Sequence, residues 1–413
     1  MNAEPRRAAI VFIFLTIVFD MLAVGLIVPV LPKLIQQFQG GNTARAAEMM
    51  GIFGTVWALM QFVCSPVLGA LSDRYGRRPV ILVSNFGLGL DYVLMAMAPS
   101  LGWLFAGRVI SGITAASVPT AMAYIADVTP PEKRAGAYGM VGAAFGLGFI
   151  IGPAAGGLLG AIDPRLPFWA AAALSLGNAM YGMFVLPESL PEEKRAAFSW
   201  MRANPVGSLQ LLRSYPGLLS LSGVAFISRL AHDVLPSTFV LYAGYRYGWG
   251  EREVGFTMAG VGICASIVQG ALVRPIVARI GERATLLVGL TLGAVGFSIY
   301  GLASEPRWFL FGVPLMSLWG LSGPAVQGLM SRRVDPSAQG RLQGAVMSMG
   351  SVAGLLGPGL FTQTFATFVA HQEWHFPGAA FVLASGLLLT GAVLAWIVTA
   401  QGVAPKATVP SET

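Results

Sequence analysis

The chain has 413 residues, of which 55% are hydrophobic and only 11% charged, with a net charge of +7 and a mean hydropathy of +0.68. Soluble domains carry charge at roughly a quarter of positions, so the polar coat that a water-soluble globule needs is missing and a soluble enzyme is excluded. At about 20 apolar residues per bilayer crossing, the length accommodates about twelve helices with short loops.

Taken along the chain, hydropathy and turn signals predict spans over 8–36, 47–71, 79–98, 102–127, 135–160 and 167–186. A second set follows over 217–245, 253–278, 284–303, 307–331, 342–369 and 376–400. The start reads as a membrane helix rather than a cleaved signal, because the apolar stretch after Arg6 and Arg7 runs on to Ile35 and is interrupted by Asp20. Between the sets, 187–215 carries Glu188, Glu192, Glu193, Lys194, Arg195, Arg202 and Arg213. The predicted organisation is an N-terminal six-helix bundle (1–186), a cytoplasmic linker (187–215), a C-terminal six-helix bundle (216–400) and a cytoplasmic tail (401–413).

With twelve spans, both termini and every even-to-odd connection share one side, and that side holds 18 of the 26 basic residues. The positive-inside rule places it in the cytoplasm. The chain is therefore expected to be an integral, multi-pass protein of the inner or plasma membrane. The same bias explains the +7 charge as topology, without a nucleic-acid partner. None of the four lysines follows a glycine, so a Walker A phosphate loop is absent. Cys64 and Cys264 lie in apolar runs and read as buried thiols. His371, Glu373 and His375 have the spacing of one helix face, but no further His or Cys lies nearby. They read as a solvated loop end, and no metal or other cofactor is expected.

The halves repeat. An offset of 205 residues carries Arg74, Gly76 and Arg78 onto Arg279, Gly281 and Arg283, Gly107 onto Gly312, Pro119 onto Pro324, and Gly152–Pro153 onto Gly357–Pro358. Two parallel six-helix halves related by an axis along the membrane normal are the plan of a transporter that rocks about a central site.

The run from Gly69 through Asp73, Arg74, Gly76, Arg77 and Arg78 to Pro79 resembles the loop motif of the major facilitator superfamily. Gly148, Gly152, Pro153, Gly156 and Gly157 resemble the motif of its antiporter branch, and Gly107–Arg108 within 104–112 the motif associated with proton coupling. Asp20 to Pro32, Ala58 to Gln61, Leu90 to Tyr92, Arg246 to Gly260 and Gln269 are similar to segments of the tetracycline/proton antiporters. Where that group has a histidine and an aspartate in its eighth and ninth helices, this chain has Ala265 and, roughly, Gly293; it adds Asp233 in the seventh. The resemblance implies an all-α membrane protein of twelve helices in two pseudo-symmetric bundles. It also implies proton-coupled export of a small amphipathic drug by alternating access. The alternative is uptake or symport of a metabolite by the same fold. The expected partners are a small molecule, protons and the bilayer, with the chain a monomer and not an enzyme.

Burying a carboxylate in a bilayer costs at least about 2.5–3.5 kcal/mol, so acids inside spans face a partner or a water-filled cavity. Asp20 lies about 20 Å along a helix from Arg7, near mid-membrane, and reads as a substrate or proton site or else as a structural acid. Arg108, permanently charged, would compete with a proton for that carboxylate. Asp91 lies at similar depth and reads as a network residue or a further proton carrier. Arg229 and Asp233 are spaced to neutralise each other on one helix face, with His232 beside them. Asp233 is alternatively the second half's own functional acid. Asp20, Gln61, Arg108, Arg229, His232, Asp233 and Gln269 form the candidate substrate set. Gly69, Asp73, Arg74, Gly76, Arg77, Arg78 and Asp127 form a candidate latch closing the cytoplasmic side, against the simpler reading of surface anchoring.

Overall fold

The computed structural model describes residues 3–400 apart from 116, 131, 132, 196–211, 213, 214, 216, 336, 337 and 375. Most of the predicted linker, the whole predicted tail and His375 therefore lie outside the described residues, which contain helices and no strand. The first half comprises α1 (Ala3–Ile27), α2 (Leu31–Phe38), α3 (Thr43–Tyr75), α4 (Arg77–Ala96), α5 (Leu101–Thr114), α6 (Ser117–Val128), α7 (Arg134–Gly160) and α8 (Leu166–Val185). The second comprises α9 (Leu218–His232), α10 (Val234–Tyr247), α11 (Glu251–Ile267), α12 (Val273–Leu302), α13 (Pro306–Ser317), α14 (Ser322–Ser331), α15 (Gln339–Ala370) and α16 (Ala379–Ala400). Caps set several boundaries. The Asn42 side chain accepts from the Arg45 N–H at 3.0 Å to begin α3, and Glu253 reaches back to the Gly250 N–H at 2.9 Å to begin α11. Large apolar side chains left exposed, such as Phe184, Phe311, Val393 and Trp396, lie on α8, α13 and α16, where a bilayer would cover them.

Eleven helical runs among the described residues are long and apolar enough to cross a membrane. The count differs from the prediction for a local reason. The predicted eighth and ninth spans are joined in one run of 52 residues, Glu251–Leu302, about 78 Å if straight and more than two hydrocarbon cores thick. Within it the backbone leaves the helix at Gly281 (φ 77°, ψ 166°). Gly281 is the repeat mate of Gly76 (φ 105°, ψ 162°), the residue that separates α3 from α4. A single left-handed glycine thus does what a predicted loop was expected to do. Other predicted spans are interrupted in mid-course: the seventh at Asp233, the eighth by a π-helical turn at Val268–Leu272, and the tenth by a 3-10 turn at Leu318–Leu321.

The halves meet chiefly through two helix pairs, α7 with α11 and α3 with α15, with smaller contacts of α10 on α2 and α3. The 205-residue offset maps α7 onto α15 and α3 onto α11, so each pair is the image of the other. Both pairs are tight at the face away from the basic loops. A side-chain carbon at Gly255 would sit 2.9 Å from Gly157 Cα, one at Gly262 3.0 Å from the Phe149 carbonyl oxygen, and one at Gly54 2.9 Å from Pro358 Cβ. Thr55 donates to the Leu355 carbonyl at 3.4 Å. Towards the basic loops the pairs separate. On the α7·α11 seam a carbon at Gly146 would still meet Ser266 at 3.3 Å, but one at Gly142 or at Gly270 would meet nothing within 4 Å. On the other seam Gly69, Gly350 and Gly354 are equally open. The bundle is closed at one face and spread at the basic face.

Candidate functional site

The glycines of α7 explain how Asp20 is held. A side-chain carbon at Gly148 would meet Met21 Cα at 3.0 Å, and one at Gly152 would meet Gly25 Cα at 2.7 Å; one at Gly156 would meet the Leu26 main chain. This stripe without side chains lets α1 lie directly on α7 just beyond Asp20, and Asp20 is buried. Gly157 points the other way, into the seam with α11. One motif therefore serves both the intrahalf contact and the interhalf one.

Asp91 of α4 is fully buried and pairs with Arg108 of α5, Oδ2 to NH2, at 3.7 Å. Gly107 makes room for it: a side-chain carbon there would stand 2.6 Å from Asp91 Oδ1. At 3.7 Å the pair is Coulombic, and neither Asp91 oxygen accepts a hydrogen bond from the described residues. Arg108 also points NH2 at Met95 Sδ, 3.2 Å away. Asp20, Asp91 and Arg108 all lie within electrostatic reach of the buried Tyr92 hydroxyl. The first half thus gathers two buried acids and one fixed cation, with Asp91 as the ion-pair partner of Arg108.

The second half gathers different chemistry. Asp233 sits at the junction of α9 and α10, packed on Gly357 of α15, where a side-chain carbon would lie 2.6 Å from Oδ2. The Arg229 guanidinium approaches Asp233 to 3.9 Å while half of its side chain stays exposed. His232 lies flat on Trp319 in the 3-10 turn, centroids 4.6 Å apart and planes at 13°, and Trp319 Nε1 donates to Ser228 Oγ at 2.9 Å. Gln269, in the π turn, donates to the Gly320 carbonyl at 3.3 Å. Gly293 belongs to this cluster as well, because a side-chain carbon there would meet Trp319 Cβ at 2.8 Å. Gln61 lies half-buried on α3. Sequence reasoning missed Trp319; the signal was an aromatic side chain in a run interspersed with Ser317, Gly320, Ser322 and Gly323, too weakly helical to stay regular.

At the basic face Arg77 is the hub. It contacts Asp73 at 2.5 Å and Asp127 at 3.1 Å, and NH1 donates to Ser72 Oγ at 2.6 Å. The acid that completes the cluster is Glu188 of the predicted linker. Its carboxylate accepts from the main-chain N–H of Arg77 (2.8 Å) and Arg78 (3.1 Å), capping α4, and from Ser189 and Leu190. Arg78 donates to the Met183 carbonyl at 2.7 Å, while Arg74 lies over Tyr75. These partners all belong to the first half or to the segment that directly follows α8. His371 stacks on Trp374 and faces the Thr367 carbonyl through Nδ1.

The Major Facilitator Superfamily profile matches residues 13–358 and, in a second alignment, 221–412. The chain is a member of that superfamily. It is 37% identical over 383 residues to the tetracycline resistance protein, class C, of Escherichia coli, covering 92% of this chain and 94% of that one. It is 36% identical over 373 residues to the class G protein of Vibrio anguillarum, covering 89% and 93%. Among solved structures it is similar to the human organic anion transporter MFSD10 (TETRAN), with a TM-score of 0.69, 27% identity and coverage of 95% and 99%. The protein is thus a multi-pass, all-helical membrane transporter of small molecules.

Proposed function

We propose that this transporter exports a small amphipathic drug, tetracycline among its substrates, in exchange for protons. The observation that carries the reading is the pair of buried acids Asp20 and Asp91 with the part-buried Arg108, on a bundle open towards its basic face. A carboxyl that exchanges its charge between a proton and a loosely placed guanidinium has two states, and substrate or proton arrival shifts one to the other. One proton entering down 100 mV supplies about 2.3 kcal/mol. In this reading the chain crosses the membrane twelve times with both termini in the cytoplasm, functions as a monomer, and stands open to the cytoplasm. The charges around Arg77 have their partners within the first half in this open form. They are free to be shared with the second half when the basic face closes, and that is the proposed latch. Asp233 with Arg229 stands as a second site for the proton.

The relatives' names support tetracycline. Proteoliposomes given a pH jump test the proposal: tetracycline should move against the proton flux and accumulate uphill. Movement indifferent to the gradient removes proton coupling, and movement in the same direction as protons selects uptake or symport.

A further inference from the structure

The second half's cluster contains a feature that proton exchange does not need. Trp319 lies at the middle of the α13–α14 run, in a 3-10 turn packed on the π turn at Val268–Leu272. Irregular turns inside membrane helices place backbone groups and side chains where a regular helix would not, and they recur at binding sites. The indole is fixed from three directions: Ser228 Oγ accepts from its N–H, His232 covers one face, and its Cβ rests on Gly293. Despite this clamping Trp319 is only half-buried, and the outer surface of a bundle has no need of a pinned, polar-tipped ring. One helical turn along α9 from His232, Arg229 keeps more than half of its side chain exposed while it holds Asp233 only loosely, at 3.9 Å. A rigid aromatic surface beside an incompletely neutralised guanidinium suits one chemical class, a flat conjugated ring system carrying an anionic oxygen.

We propose that Trp319 is the stacking wall of the ligand site, held flat by Ser228, His232 and Gly293, and that Arg229 meets the ligand's negative oxygen. This rests on the export reading for its location and adds the residue that selects shape. Packing alone would bury a tryptophan and tolerate leucine. A stacking wall needs an aromatic ring and discriminates flat from bulky ligands of equal charge.

The test is equilibrium dialysis of the purified full chain in detergent with two probes, anthracene-2-carboxylate and adamantane-1-carboxylate, which share a charge and differ in flatness. The wild type should prefer the flat probe by about tenfold, the range of an aromatic stacking contact. Trp319→Leu should erase the preference, Trp319→Phe should retain most of it, and Arg229→Gln should weaken both probes together. A wild type without preference, a Trp319→Leu that keeps it, or a Trp319→Phe that loses it as Leu does overturns the proposal. Elution profile and melting temperature of each variant report its folding, and Trp319→Phe supplies the readout if Leu does not fold. The dialysis needs no proton gradient, so its failure is distinct from that of the export reading. Flat-ring preference without coupled transport would sink only the latter, and coupled transport without flat-ring preference only the former.

Discussion

Lys33 Nζ donates to the main-chain carbonyl of Trp249 at 2.8 Å, tying the first half to the second at the face away from the basic loops. The ammonium also lies beside Gly244, at the end of α10 where the helix turns left-handed at Gly248. A cation there complements the negative end of the helix dipole, worth about 0.3–1 kcal/mol. This is the one lysine in the described spans placed across the seam, and in the proposed cycle it acts only while that face is shut.

Lys33→Met should therefore shift the population towards the form open on that face by up to about fivefold. Spin labels at Arg45→Cys and His371→Cys, in a background with Cys64 and Cys264 replaced by serine, report it as a longer distance component. An unchanged distribution would make the contact incidental.

Asp20→Asn mimics the protonated acid with almost no change in volume. Uphill accumulation of drug should collapse while downhill exchange persists. Asp91→Asn, by releasing Arg108, should change the pH dependence of exchange, and Arg108→Lys should lose less than Arg108→Ala because it keeps the charge. Drug-driven proton release in detergent, measured for each variant, separates the roles. Full release in Asp20→Asn moves the proton to Asp91 or Asp233.

Gly255→Val drives methyl groups into the Pro153 carbonyl and Gly157 Cα. Overpacking of this kind costs about 1–3 kcal/mol, and parting the seam relieves it. The variant should favour the form open on that face and lose transport, whereas Gly270→Val, in the π turn just past the spread end of α11, should transport nearly as the wild type does. Equal losses in the two would contradict the seam geometry.

Glu188→Ala removes four main-chain hydrogen bonds around the start of α4. Loss of a helix cap costs about 1–2 kcal/mol, so amide exchange at Arg77 and Arg78 should accelerate about tenfold. Asp73→Asn, which touches only the Arg77 side chain, should leave those amides protected but slow the transport cycle.

Much of this was legible in the sequence because bilayer physics is unforgiving about length and charge. Apolar runs, the basic bias and the 205-residue repeat gave the spans and the halves, and the acids at Asp20, Asp91 and Asp233 stand out because burying them is costly. The misses share a cause. Gly281 breaks a helix by its backbone angles alone, and hydropathy is blind to those. Glu188 follows a proline in a charged segment and looks like linker until α4 is folded against it. Trp319 looks like lipid-facing apolar mass until the π turn opposite shows which way it points. The pairing of Asp91 with Arg108 depended on Gly107, whose missing side chain leaves space that only the packed helices reveal.

The closed seam has a thermodynamic consequence. Where Gly157 meets Gly255, and Gly51 and Gly54 meet Thr362 and Pro358, one surface in each contact has no rotamers to freeze. Ordering a long side chain costs up to about 2 kcal/mol of entropy, and a seal of interlocking side chains would incur that cost at every closure. This one closes almost without it. In the proposed cycle that leaves less for a proton, a ligand or the Lys33 contact to overcome at each closure.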